Sequence, residues 1–237
     1  MSEWAAKRFW DKAEVSEAGA GFQVTLDARP LRTPFKSALI LPTRAMARAV
    51  AGEWGAQGEQ VDPLSMPVTR SANSAIDKVA PQHAAVAAML AGYAETDLLC
   101  HRAGTPEGLV QRQTKGWDPV LDWAARIYHA PLIPTEGVLP VGQPEDSLTI
   151  YGNAVSELRP FSLTGFHDLV TLSGSLILAL AVHKGQITVQ EAWSLSRIDE
   201  SWQIEQWGKD DEATEFAARK KDEFFHAARF LKLSDGA

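Results

Sequence analysis

Ser194-Leu195-Ser196-Arg197-Ile198-Asp199-Glu200-Ser201-Trp202-Gln203-Ile204-Glu205-Gln206-Trp207-Gly208 is the stretch whose reading decides how this chain folds. Just before it, Thr188 and Glu191 stand three residues apart, the spacing of a reciprocal capping box. Gly208 marks the far end, because glycine takes the left-handed conformation that closes a helix. A single helix from about Val189 to Trp207 is therefore expected. At about 100° per residue it carries two apolar stripes. Leu195, Ile198 and Trp202 form one, and Trp193, Ile204 and Trp207 form the other on roughly the opposite side. Glu205 falls at the edge of the first stripe. A helix apolar on two sides is either sandwiched in a bundle or offers one side to a partner.

Working outward, the C-terminal half reads as helical. After it, Phe216, Lys220, Phe224, Ala227 and Leu231 line one side of a last helix. Before it, Phe161 to Val182 is apolar nearly all round, as in a buried central helix. Asp118-Pro119 reads as an N-cap followed by proline at the first helical position, with Leu121, Ala124 and Tyr128 facing inward. Pro106 opens an earlier helix, and Asp97 to Arg102 reads as an irregular link. Pro131 to Pro144 is a loop with a short strand at Leu132–Ile133.

The front of the chain has a different period. Phe22, Val24 and Leu26 alternate with polar residues, as in a half-buried strand. Phe9 to Val15, Phe22 to Leu26, Leu31 to Thr33 and Ala38 to Leu41 are expected as short antiparallel strands, with a turn at Asp27-Ala28-Arg29-Pro30. Thr43 caps a helix to about Gln57 whose inner face is Met46, Val50 and Trp54. The expected fold class is α+β: a small antiparallel sheet with a packed helix over residues 1–78, then an all-helical domain over 79–237.

The 237 residues carry a net charge of -7, which argues against a nucleic-acid binder. Only one cysteine is present, Cys100, so neither an internal disulfide nor a multi-cysteine zinc site is available. The N-terminus lacks the apolar segment of a secretory signal, and the greasiest run, Leu176 to Val182, is far short of the ~20 residues that span a bilayer. A soluble, cytoplasmic protein with no membrane insertion is expected.

Signatures of chemistry are sparse. No glycine-rich loop leads to Lys-Ser or Lys-Thr at a helix start, and Ser173-Gly174-Ser175 lacks the pattern of a nucleophile elbow. No two histidines stand at the i, i+4 spacing of a helical metal pair. Cys100 suits a buried small hydrophobe, and His167-Asp168 a satisfied polar pair. No cofactor or metal is implied. An enzymatic alternative would be a hydrolase or transferase using Glu200 or Glu205 with His167 or His101 nearby.

Motifs in order along the chain carry a resemblance. They are Arg8-Phe9-Trp10, Arg29 to Pro34, Glu53-Trp54 with Gln57, Met66-Pro67 leading to Ala75-Ile76-Asp77, and Asp97-Leu98-Leu99-Cys100 with Arg102-Ala103. They continue with Trp117-Asp118-Pro119, Gly174-Ser175-Leu176, and Asp199-Glu200 through Trp202-Gln203, Glu205 and Trp207-Gly208. Over essentially its whole length the chain resembles the Atp12 family of F1 ATP synthase assembly chaperones. It departs at Ala28, where glycine is usual in the turn, and at His101, where an aromatic is common. The resemblance implies a non-enzymatic chaperone that binds the free α subunit of F1 and covers its β-facing surface. It places the functional carboxylate among Glu205, Asp211 and Glu212, of which helix geometry favours Glu205. Glu200, Trp207 and Trp54 complete the candidate binding residues, with Trp54 in the core first.

Overall fold

The computed structural model describes residues 7–137 and 141–236. A three-stranded antiparallel sheet is followed by helices, so the fold class is α+β. Two compact units are resolved: the described residues up to His83 with 159–165 and those from Arg229 on, and Ala84–Leu158 with Phe166–Ala228.

In the first unit β1 (Ala13–Ala18) pairs with β2 (Gly21–Leu26) in the register Val15 to Val24, and β2 pairs with β3 (Arg29–Pro30). The two-residue turn Asp27-Ala28 has φ of 45° and 68°. That is the geometry the right-handed twist of a hairpin favours. The Asp27 carboxylate accepts the amides of Asp11 and Lys12, both at 2.9 Å, and these bonds hold it below the usual carboxylate range. The first strand starts later than the expected Phe9–Val15, because Phe9 is exposed and lies against the Arg29 guanidinium rather than in a ladder. Leu31–Thr33 and Ala38–Leu41 contribute only isolated bridges, Arg32 to Ala38 and Phe22 to Leu41. Helix α1 (Arg44–Gly55) starts where Thr43 accepts the Met46 amide. Met46, Ala47 and Val50 join Val24, Leu39, Leu41, Val68 and Phe230 in one core. Helix α2 (Pro67–Ser74) runs into a π turn at Ala75–Val79.

The second unit contains most of α3 (His83–Ala91) and a parallel pair of two-residue strands, β4 (His101–Arg102) and β5 (Thr135–Glu136). The short strand expected at Leu132–Ile133 instead forms slightly later, as β5. Between α3 and β4, Leu98–Cys100 forms a 3-10 turn capped by Asp97.

Helix α4 (Glu107–Tyr128) runs without interruption through Pro119, where a new helix was expected. An interior proline costs about 3 kcal/mol. Burial of Trp117, Val120, Leu121 and Trp123 on the same helix, at roughly 1.5–3 kcal/mol for each large side chain, outweighs that cost. Asp118 is not a cap here, for its carboxylate forms an ion pair with Arg102 at 2.7 Å.

Helix α5 (Glu145–Ser156) is followed by α6 (Pro160–Ser173) and α7 (Leu176–His183), which divide the single buried helix expected from Phe161 to Val182. The break is built by Gly174, at φ of 72°, and by Ser175, whose hydroxyl accepts the Leu178 amide. Asp97 locks it. Its carboxylate lies wholly buried and accepts the Leu99 amide, the Ser175 hydroxyl and the Ile177 amide at 3.0, 2.7 and 3.0 Å. Burial nevertheless dominates these bonds and pushes its pKa up to about 6. Helices α8 (Val189–Ser196), α9 (Ile198–Trp207) and α10 (Asp211–Asp235) complete the chain. Among the described residues no helix is long and apolar enough to cross a membrane.

Candidate partner-binding face

The capping box is present: Thr188 accepts the Glu191 amide and Glu191 returns a bond to the Thr188 amide. The helix it opens, however, ends at Ser196 and restarts at Ile198, with Arg197 at φ -117°, ψ 16°. The cause lies on α4. The Trp117 indole donates to the Leu195 carbonyl at 2.9 Å, the carbonyl an unbroken helix commits to the Asp199 amide.

The bend separates the two apolar stripes. Trp193 is buried and packs 5.6 Å from Phe224. Leu195, Ile198 and Trp202 turn onto α4, which receives them at two glycines. A Cβ on Gly116 would stand 2.9 Å from both Leu195 Cδ2 and Ile198 Cδ1, and one on Gly108 only 2.7 Å from the Trp202 ring. Ile204 and Trp207 are left outside, Trp207 being 79% exposed. Gly208, at φ of 91°, ends α9 with its N–H on the Ile204 carbonyl.

Polar ties complete the docking of α9 on α4. Gln113, almost fully buried, accepts the Ala103 amide at 2.8 Å and donates to Asp199 at 2.7 Å. Arg112 holds Glu205 through two parallel bonds of 2.7 and 2.6 Å, while its guanidinium lies 4.8 Å above Trp202. Hydrogen bonding to Arg112 keeps Glu205 below the usual carboxylate range and raises Arg112 in turn. A pair this exposed contributes little to stability. Its geometric effect is larger, since the bidentate fork fixes both side chains beside Trp202.

The sequence candidates thus fall in three settings. Glu205 and Trp207 share the outer part of α9. Glu200, on the same helix, is paired with Arg197 at 2.7 Å, and Arg197 covers Trp193. Asp211 and Glu212 form the exposed first turn of α10, where carboxylates complement the helix dipole. The preceding Asp210 supplies the cap, accepting the Ala213 amide at 2.7 Å. Trp54 belongs to the other unit, half-buried and edge-on to Trp10 at 5.2 Å, with the Trp10 indole donating to its carbonyl. Arg112, Gln113 and the two glycines of α4 were missed by motif reading. Gly108 and Gly116 stand two helical turns apart, and that spacing was the available signal.

Beside α9 lies a groove of about 550 Å³, lined by His101, Pro106, Trp202, Gln203, Gln206 and Trp207 among others. Its walls combine aromatic faces and side-chain amides with the charged Arg102 and Asp199, a mixture suited to a peptide segment. Among the described residues no cluster of three or more His, Cys, Asp or Glu could hold a metal ion. The enzymatic alternative finds no support in this geometry. Glu205 is tied to Arg112 with a lowered pKa, Glu200 is tied to Arg197, and His167 Nδ1 contacts Asp168 at 2.8 Å. Cys100 is buried, and burial pushes its thiol up to about 12.

This architecture is shared with solved bacterial structures. The Atp12 of Paracoccus denitrificans is 53% identical, with a TM-score of 0.95 over 97% of this chain and 98% of that one. An aspartate-to-lysine variant of the same organism's Atp12p gives 53% identity and a TM-score of 0.96 over 98% and 100%. A putative chaperone from Agrobacterium tumefaciens gives 42% identity and a TM-score of 0.90 over 95% of this chain and 85% of that one. Protein atp12, mitochondrial, of Schizosaccharomyces pombe is 23% identical over 88% of this chain and 76% of its own length. The class is therefore that of α+β assembly chaperones. A model of the family described as ATP12 chaperone protein matches residues 7–125, and the chain belongs to that family, whose members assist assembly of the F1 sector of ATP synthase.

Proposed function

We propose that this chaperone binds the free α subunit of F1, covers the surface that α later turns toward β, and does so without catalysis, in the cytoplasm. The observation that carries the proposal is the outer side of α9. Trp207 is 79% exposed and Ile204 38%, beside a Glu205 that Arg112 holds in place. Exposed tryptophan flanked by ordered charge is the composition of an interface anchor rather than of a resting surface. Asp211 and Glu212 extend the acidic border, and Glu200 steadies the bend of α9 through Arg197. Trp54 supports the fold of the first unit, where its ring packs on Trp10.

Size-exclusion chromatography of the chain mixed with purified α tests the proposal. A stoichiometric complex is expected. Trp207→Ser is expected to weaken it about tenfold or more, the size of an interface hot spot. Glu205→Lys is expected to weaken it while leaving the melting temperature nearly unchanged, because the Arg112 pair is exposed. Absence of a complex at any salt concentration contradicts the proposal. A large loss of melting temperature in Glu205→Lys would make Glu205 a structural residue.

A further inference from the structure

The loop that joins the bridge residues Arg32 and Ala38 in the first unit is built to hold one shape. Thr33 to Lys36 is a tight turn with Pro34 and Phe35 at its centre, closed by the Lys36 amide on the Thr33 carbonyl at 2.8 Å. The Thr33 amide reaches the Ser37 carbonyl at 2.9 Å, and the Arg32 guanidinium donates to the Lys36 carbonyl at 2.9 Å. A carboxylate far along the chain pins the loop from outside. Asp77, on the π turn, accepts the Thr33 hydroxyl at 2.8 Å and the Phe35 amide at 3.4 Å.

What this scaffold displays is an aromatic ring with a cation on either side of it in the loop. Phe35 is 72% exposed, and Arg32 and Lys36 are exposed as well. Residues 31–38 contain no acid, and Asp77 is already engaged by the loop. Lys36 sits at φ of 68°, a conformation in which a turn of this kind is best served by glycine. The loop thus carries a cation at a strained position and a phenyl ring in water, in a chain of net charge -7. Neither feature stabilises the isolated fold, and both suit an anchor that is ordered before its partner arrives.

We infer that this tip is a second docking element for the same client, inserting Phe35 into an apolar recess of the α subunit that is bordered by acidic side chains. The inference rests on the assignment of α as client. It adds a basic anchor in the first unit to the acidic, tryptophan-bearing helix α9 in the second. A protein recess fits better than a lipid surface, since one ring and two cations on a rigid turn give a membrane little apolar depth.

Titration calorimetry for affinity and stopped-flow mixing for association rate, with α and the wild-type chain, Phe35→Ser, Phe35→Tyr and Lys36→Glu, test this. Phe35→Ser is expected to weaken binding about tenfold to a hundredfold, as loss of a buried phenyl ring should, with Phe35→Tyr restoring most of it. Lys36→Glu is expected to lower the association rate about tenfold at low salt, with the difference shrinking as salt rises. Thermal melts of these variants are expected to match the wild type, because both side chains are exposed. Wild-type binding with unchanged affinity in the Phe35 and Lys36 variants overturns the tip assignment alone. No binding by the wild-type chain overturns the client assignment and the tip with it. Binding of the tip to anionic phosphatidylserine vesicles, abolished by Phe35→Ser while α binding is unaffected, also overturns the protein-recess assignment.

Discussion

Replacement of Asp97 by asparagine should change how stability depends on pH, and the sign of that change decides between two opposing forces. Three donors hold the carboxylate, the Leu99 and Ile177 amides and the Ser175 hydroxyl, and they favour the ionised form. Complete burial favours the protonated form and prevails, leaving the group near pKa 6 against an ordinary 3.8. Between these values the folded chain holds a proton that the unfolded chain has released. Stability from this group is therefore fully present below pH 3.8 and declines as pH rises toward 6. At about 1.4 kcal/mol per unit, the whole decline is about 3 kcal/mol, of which about 2 falls above pH 4.5. Asparagine keeps the size of the side chain and lacks the titration. Urea unfolding followed by tryptophan fluorescence, at intervals from pH 4.5 to 7.5, gives both curves. The stability of the wild type relative to Asp97→Asn should fall by about 2 kcal/mol across that range. A flat or rising difference would mean that the three hydrogen bonds outweigh burial and that Asp97 stays ionised in the folded chain.

Other consequences follow from single residues. Ala28→Gly relieves a φ of 68° in the hairpin turn and should raise the urea midpoint by the equivalent of about 0.5–1 kcal/mol; a lower midpoint would mean the turn is not strained. Gly108→Ala, in the first turn of α4, gains at most about 1 kcal/mol of helix propensity but drives a methyl to 2.7 Å from the Trp202 ring. Overpacking at about 1–3 kcal/mol wins, so the variant should be less stable and bind α more weakly; a more stable variant with full binding would show that α9 is not seated on Gly108. Cys100, buried with its thiol pushed up to about 12, should react with a thiol reagent at pH 8 only as fast as the chain unfolds, and rapid labelling of the native protein would contradict this.

Features set by neighbours in sequence were legible in the chain itself. The Thr188–Glu191 box, the Thr43 cap, the Gly208 terminus and the inner face of α1 all depend on residues within a few positions. Features set by distant partners were not. The kink at Arg197 comes from the Trp117 indole, which bonds the carbonyl of Leu195 78 residues further along the chain. The continuity of α4 through Pro119 comes from buried tryptophans on either side of it, and local propensity points the other way. The division of α6 from α7 depends on Asp97 reaching Ser175 and Ile177 across a similar separation. At the candidate face, Glu205 and Trp207 could be picked out as an acid and an aromatic near the end of a helix. That Arg112 would grip Glu205 could not, because a lone arginine on a long helix gives no sign of which carboxylate it meets.

Competition with β tests directly whether this chaperone covers the surface of α that later faces β. Isolated α, labelled with a fluorophore, is loaded with the chain and then titrated with purified β. If the chaperone occupies the β-facing surface, β and the chaperone exclude one another: β binding should be suppressed in proportion to chaperone occupancy, and Trp207→Ser should relieve the suppression. A stable ternary complex of chaperone, α and β, with β binding undiminished, would contradict it.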